Sequence, residues 1–251
     1  MSDIDQEIMS TSSPDNHGSM ERALAGNFEF SISAILKESW ERVKGNKGTI
    51  WLALILYLIV AGVVAIVFKS AFEAMGFVLP EKPEFTLSYF ALSSVSSILQ
   101  YIIIGPIAMG LIMVAIKIAA DQPRQPTDIF NYFPYVGKLL ATYIVMFILI
   151  LIGFCLFILP GIYLAVAYYL ALPLVVEKNL NVWQALEASR KAVTHVWFRV
   201  FFLFLILMLI IIISIIPLGI GLVWTLPLMM IAYGVVYRNI FGVEQAVVVN
   251  A

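Results

Sequence analysis

The sequence predicts an all-α fold: a polytopic helical membrane protein with six transmembrane helices paired as three hairpins, each hairpin preceded by a cytoplasmic interfacial amphipathic helix. Three observations predict it. Of 251 residues, 62% are apolar and 12% charged, against roughly half and about a quarter in a soluble domain. Six apolar runs approach the roughly 20 residues that a helix needs to cross a hydrocarbon core of about 30 Å. The bases then fall almost wholly on one side of the threading that those runs define.

In chain order, residues 1–27 carry Asp3, Asp5, Glu7, Asp15 and Glu21 against the single base Arg22. Such a segment buries too little apolar surface to offset its ordering entropy, which predicts a disordered acidic cytoplasmic tail. It lacks the basic start and apolar stretch of a signal peptide. Six runs follow in a membrane domain over 28–240. Thr49 to Phe68 is bounded by Lys47 and Lys69, Ser96 to Ile116 comes second, and Leu139 to Leu159 follows Lys138. Ile162 to Val176, Val200 to Ile216 and Leu218 to Tyr237 complete the set, separated by Pro160-Gly161, by Glu177 to Arg199, and by Pro217. The serine-rich stretch Phe85 to Val95 is expected at or above the outer surface. Residues 241–251 form a short cytoplasmic tail.

With both termini inside, thirteen of the fifteen bases face the cytoplasm and only Lys69 and Lys82 face out, the asymmetry of the positive-inside rule. Tryptophan supplies the membrane-interface anchors: Trp51 and Trp197 begin spans on the inner side, Trp224 begins one on the outer side, and Trp40 and Trp183 fall on the segments preceding spans. Lys37, Arg42, Lys44, Lys47, Arg190, Lys191 and Arg199 would meet anionic lipid headgroups.

Those preceding segments have helical spacing. In Ser31 to Lys44, Ile32, Ile35, Leu36, Trp40 and Val43 share a face opposite Lys37, Glu38, Glu41, Arg42 and Lys44. In Asn181 to Trp197, Val182, Leu186, Val193 and Val196 oppose Gln184, Glu187, Arg190 and Lys191, and Asn181 with Gln184 forms a capping pair. Thr127 to Val136 is a weaker version built on Ile129, Phe130, Phe133 and Val136. Two readings stay open, helices lying in the interface plane or connectors packed on the bundle. The second helix of each hairpin carries proline: Pro106, then Pro160 and Pro173, then Pro227. Three degenerate units follow, at about 31–120, 121–177 and 178–238. The prolines are read as helix kinks. Pro106 and Pro227 would free the carbonyls of Ile102 and Val223 in mid-membrane, where no charged side chain stands to use them with an ion.

No Asp, Glu, Lys, Arg or His falls in the apolar core of any span, which weakens ion-coupled transport. His17, His195 and the single Cys155 lie too far apart for a zinc site or a nucleophile–base pair. Catalytic, cofactor and metal residues are therefore expected to be none. A net charge of −1 disfavours nucleic acid as a partner.

The run Leu159-Pro160-Gly161-Ile162-Tyr163-Leu164, then Pro173-Leu174-Val175-Val176-Glu177, then Ala185-Leu186 with Ser189 resembles bacterial inner-membrane proteins that include the YciC-like family and the membrane domain attached to some glycerophosphoryl diester phosphodiesterases. The likeness covers about 28–240. It implies a six-helix module of the bacterial inner membrane with no established activity, and it carries over no catalytic position, because the phosphodiesterase barrel is a separate domain. The function expected is non-enzymatic: a scaffold, regulator or assembly factor acting through membrane lipids, copies of itself or other membrane proteins. The runner-up is a transporter of small solutes or lipids with a cavity lined by the proline-bearing helices. A transporter needs a polar cavity reaching the midplane, whereas a scaffold is packed through.

Overall fold

Order begins at a cap. In the computed structural model, which describes residues 18–76 and 87–244, the Ser19 side chain accepts from the Arg22 N–H and opens α1, Met20–Ala25, which Gly26 closes in the left-handed region. Ala23 is fully buried and the Gly18 N–H donates to the Arg238 carbonyl at 3.1 Å. Residues 18–27, expected in the tail, are thus ordered, because two caps and one buried methyl dock them on the last helix. The expectation for 1–17 lies outside the described residues.

Every regular element among the described residues is a helix, with no strand among them. Five helices are long and apolar enough to cross a membrane: Ile32–Ala74, Val95–Ala119, Pro126–Leu156, Ile158–Glu177 and Trp197–Ile215. Helix α2 spans Ile32–Ala74 and breaks at Lys44 and Gly45, whose φ/ψ are non-helical. Its first part buries Ile35, Ser39 and Val43, and beyond the break Leu52, Ile55, Ile59, Val63 and Ile66 stay exposed. Exposed apolar area on that scale marks a surface that meets lipid or another protein. At the break, Asn46 Nδ2 donates to the Arg42 carbonyl at 2.9 Å, replacing a helical bond that the turn disrupts. Helix α3, Leu87–Ala119, carries Pro106 within it.

The weak amphipathic helix expected over Thr127 to Val136 is instead two 3₁₀ turns, Pro126–Phe130 and Phe133–Tyr135. Pro126 and Pro134 withhold the N–H groups that a longer helix needs. Helix α4, Val136–Leu156, ends at Phe157 in extended backbone, and α5, Ile158–Ala167, starts at once. The hairpin break therefore precedes Pro160-Gly161, which lie inside α5. Pro160 is its third residue, where the missing N–H has no helical partner to lose. After α6, Ala171–Glu177, come α7, Val182–His195, and α8, Trp197–Ile215. The last helix, α9, Leu222–Phe241, begins four residues later than expected. It is not among the five apolar helices, its run being diluted by Thr225, Pro227, Tyr233, Tyr237, Arg238 and Asn239.

Helix α9 packs on both α2 and α3, which also pack on each other, and a glycine sets the approach to α3. A Cβ at Gly234 would lie 2.4 Å from the Ala115 carbonyl oxygen. Helix α7 turns Ala185, Leu186, Ala188, Ser189, Ala192 and Val193 inward and leaves Gln184 and Lys191 exposed. Its apolar face packs on α4, α5 and α6, so protein covers it, as in the connector reading. Small residues at 185, 188 and 192 permit that approach.

Left-handed residues follow three of the helices: Asp121 (φ 54) after α3, Asn179 (φ 50) after α6 and Gly242 (φ 67) after α9, residue types that tolerate this region. Ser31 and Asn181 cap the helices preceding the first and third hairpins, and a fully buried serine, Ser39 or Ser189, stands eight residues after each.

Candidate functional site

The fourth span is discontinuous. Between α5 and α6 the residues Tyr168, Tyr169 and Leu170 leave the helix, and the cause is Pro173: without an N–H it gives the Tyr169 carbonyl, four residues earlier, no helical partner. Tyr233 on α9 donates its hydroxyl to that carbonyl at 2.8 Å. Ser189 on α7, fully buried, closes the rest. Its Oγ donates to the Ala167 carbonyl at 2.7 Å and accepts the Leu170 N–H at 3.2 Å. One hydroxyl thus bridges both sides of the break, which satisfies the rule that backbone groups in a membrane find internal partners.

Beside the break lies a cavity of about 220 Å³ lined by Val166, Tyr169, Leu203, Phe204, Ala232 and Tyr233, among others. The Tyr169 and Tyr233 rings meet edge to face at 4.7 Å, and Phe204 lies edge-on to Tyr169 at 6.5 Å. The lining is apolar, and the Tyr233 hydroxyl is already engaged. Its chemistry suits a hydrocarbon chain and offers nothing to a polar solute.

The other prolines sort by what meets their carbonyls. The Val223 carbonyl, freed by Pro227, accepts from Trp51 Nε1 at 3.0 Å, and Lys47 Nζ lies 4.9 Å over the Trp224 ring. Trp51 and Trp224, assigned to opposite membrane faces from the sequence, are therefore neighbours. The reason is that α2 enters the bundle well before Thr49, so Trp51 stands alongside the start of α9. Pro106 is followed by the buried Ile107 and Met109. Pro173, like Pro160, stands third in its helix.

A charge cluster joins the ends of α2, α3 and α9. Glu38 takes Arg238 through both oxygens, at 2.7 and 2.8 Å, and Arg42 Nε at 2.7 Å. Arg42 also grips Asp121 at 2.7 and 2.9 Å and donates to the Ile118 carbonyl at 2.8 Å, while Arg238 donates to the Ala119 carbonyl. Two guanidinium groups thus cap the C-terminus of α3, where the helix dipole favours cations. A second set links Tyr237 to Glu177 at 2.7 Å and the Glu244 N–H to the same carboxylate at 2.7 Å.

Of the bases expected at lipid headgroups, Arg42 is absorbed into this cluster, Arg190 and Lys191 pair with Glu187 at 2.8 and 3.4 Å, and Arg199 donates to the Phe30 carbonyl at 3.1 Å. Lys37 and Lys44 are exposed. Trp40 and Trp183 are exposed by 45% and 65%, whereas Trp197 Nε1 donates to the Tyr163 carbonyl at 3.1 Å. Sequence reasoning placed Glu38 on a polar face and Ser189 in a motif without giving either a partner, and passed over Asp121 and Tyr233. The Glu38–Arg42 spacing of four was a readable signal; the contacts spanning 60 or more residues had none. Among the described residues no group of His, Cys, Asp or Glu is placed to hold a metal ion. No family model, curated protein or solved structure matches this chain.

Two results are expected here. Ser189→Ala strands a buried carbonyl and a buried N–H, each costing about 1–3 kcal/mol, so its melting temperature in detergent should fall well below that of Thr194→Ala, an exposed site. The second concerns pH. Hydrogen bonds from Arg42 hold the Asp121 carboxyl below its ordinary value against the opposing effect of burial. A lowered native pKa stabilises above the unfolded value of about 3.9 and loses that contribution as pH falls through the native one. Asp121→Asn should therefore lower the melting temperature slightly at neutral pH, the Asp121 carboxylate being largely exposed, and the difference should vanish in strong acid. A difference that persists unchanged there contradicts the ion pair.

Proposed function

We propose that this chain is a non-enzymatic multi-pass membrane protein that works as a scaffold, regulator or assembly factor through lipid or protein partners, with α9 as a sixth span and both termini on the cytoplasmic side of a bacterial inner membrane. One observation carries the reading: the backbone groups that the breaks at Pro173 and Pro227 would offer a substrate are taken by the protein's own side chains. Ser189 and Tyr233 close the break in the fourth span, and Trp51 fills the carbonyl that Pro227 frees. Partner contact then falls to the exposed surface, where Trp40, Trp183, Lys37 and Lys44 face outward. The resemblance to YciC-like proteins belongs to the same proposal.

A lipid transporter is the second reading, favoured by the apolar cavity of about 220 Å³ beside the break. Reconstitution in vesicles separates the two. The scaffold reading expects entrapped small solutes to leak, and labelled lipids to change leaflet, no faster than in empty vesicles. Flux that the protein accelerates and that Pro106→Ala abolishes, with the folded population unchanged, moves the transporter ahead. Sidedness is tested separately: cysteine near residue 125 or 188 should resist an impermeant thiol reagent added outside, and cysteine near residue 80, beyond the described residues, should react.

A further inference from the structure

The second and third hairpins share a property that the first lacks. Between Lys138 and Glu177, and again between Arg199 and Arg238, the chain runs 38 residues without a charged side chain or histidine, turns included. The turn residues are large, apolar and bare: Leu156, Phe157, Ile158 and Leu159 are 66–78% exposed, and Ile216, Leu218 and Ile220 are 62–95% exposed. Leu218 adopts φ 54, a conformation more usual for glycine or asparagine. At its far end the first hairpin instead carries Lys69, paired with Glu73 at 3.9 Å and largely exposed.

Length sharpens the contrast. At 1.5 Å per residue, Lys47 to Lys69 rises about 33 Å, Lys138 to Phe157 about 29 Å and Arg199 to Ile216 only about 26 Å. A hydrocarbon core of roughly 30 Å is crossed by the first and not clearly cleared by the others. Apolar turns standing in water would expose carbon that nothing offsets; the same turns stopping in acyl chains need no polar cover, provided their backbone is satisfied. Much of it is: the Phe157 N–H donates to the Gly153 carbonyl, the Gly161 N–H to Phe157, the Gly219 N–H to Ile215 and the Leu218 N–H to Ile216.

We propose that the turns at Phe157 and Leu218 end among the lipid acyl chains of the leaflet opposite the charged helix ends, while the first hairpin passes through into water. The partner is lipid, and the consequence is local thinning of that leaflet around two blunt apolar tips. This deepens the scaffold reading, and it rests on the chain's being membrane-embedded.

Spin labels in reconstituted vesicles test it, read by collision with oxygen, which partitions into lipid, and with a water-soluble nickel chelate. The native Cys155, exposed two residues before Phe157, takes a label without substitution. Leu218→Cys, Ile59→Cys on the exposed face of α2, and Lys69→Cys are labelled in a Cys155→Ala background. The Cys155 and Leu218 sites should match Ile59, with oxygen broadening present and the nickel broadening seen at Lys69 lost. Nickel access at Leu218 equal to that at Lys69 overturns the proposal. Exclusion of both agents with spin–spin broadening overturns it in favour of a second copy of the chain covering the tips. Nickel access at Ile59 as well overturns the membrane reading beneath it. Should Leu218→Cys misfold, the Cys155 label decides.

Discussion

Arg238→Met should be among the most damaging single substitutions in this protein, with a loss of about 3 kcal/mol, the low end of the range for breaking a buried pair. The Arg238 side chain is 9% exposed and makes both bonds to Glu38. Its removal leaves Glu38 half-buried with one guanidinium instead of two, and leaves the Ala119 carbonyl without its charged donor. Arg42 still holds Glu38, which is why the low end applies. Adding Glu38→Gln to Arg238→Met should recover part of the loss, since the uncompensated charge is then gone. Thermal unfolding of the four combinations in detergent measures the coupling. Additive losses would mean that the pair contributes nothing of its own.

Gly234→Leu should have the largest effect of all. Real Cβ atoms do not approach other atoms within 3.0 Å, and here a Cβ would stand 2.4 Å from the Ala115 carbonyl oxygen and 2.7 Å from its carbon. Main chain cannot swing aside as a side-chain tip can, so α9 must move off α3, opening the interface that holds Val235, Val236 and Ile231. Overpacking costs about 1–3 kcal/mol where a core can yield, and more where it cannot. Gly62→Ala in α2 is the control, since a Cβ there meets nothing within 4 Å; it should be neutral or gain up to about 1 kcal/mol from helix propensity. Size-exclusion profiles and melting temperatures should separate the two variants. Equal behaviour would show that α3 and α9 do not approach this closely.

Helical class and the positions of five apolar helices were legible because a membrane span is a composition signal, read without knowing any partner. The Asn181–Gln184 cap was legible for a similar reason, being local: both of its reciprocal bonds are present. What the chain does at Tyr168 to Leu170 was not. Pro173 shows that one carbonyl is freed, but whether a ligand, a kink or a neighbour answers it depends on Tyr233, 60 residues away along the chain. The same holds for the bases. Arg42 and Lys44 are equivalent as charge on an amphipathic helix, yet one is bound by Glu38 and Asp121 and the other is exposed. Tryptophan position misled because Trp51 looks like a span's first residue, whereas the helix that carries it is already inside the bundle, with its indole on Val223.

Ser189 and Tyr233 close the break in the fourth span and keep water from its backbone. Hydrogen exchange of the segment around Leu170, in lipid nanodiscs, tests it most directly. With the Leu170 N–H held by Ser189 at 3.2 Å and the Tyr169 carbonyl by Tyr233 at 2.8 Å, exchange should be as slow as in the buried turns of α9 and should accelerate in Ser189→Ala. Exchange as fast in the unmodified protein as in α1 at the surface would mean a water-filled break, and it would contradict the account in favour of a transport path.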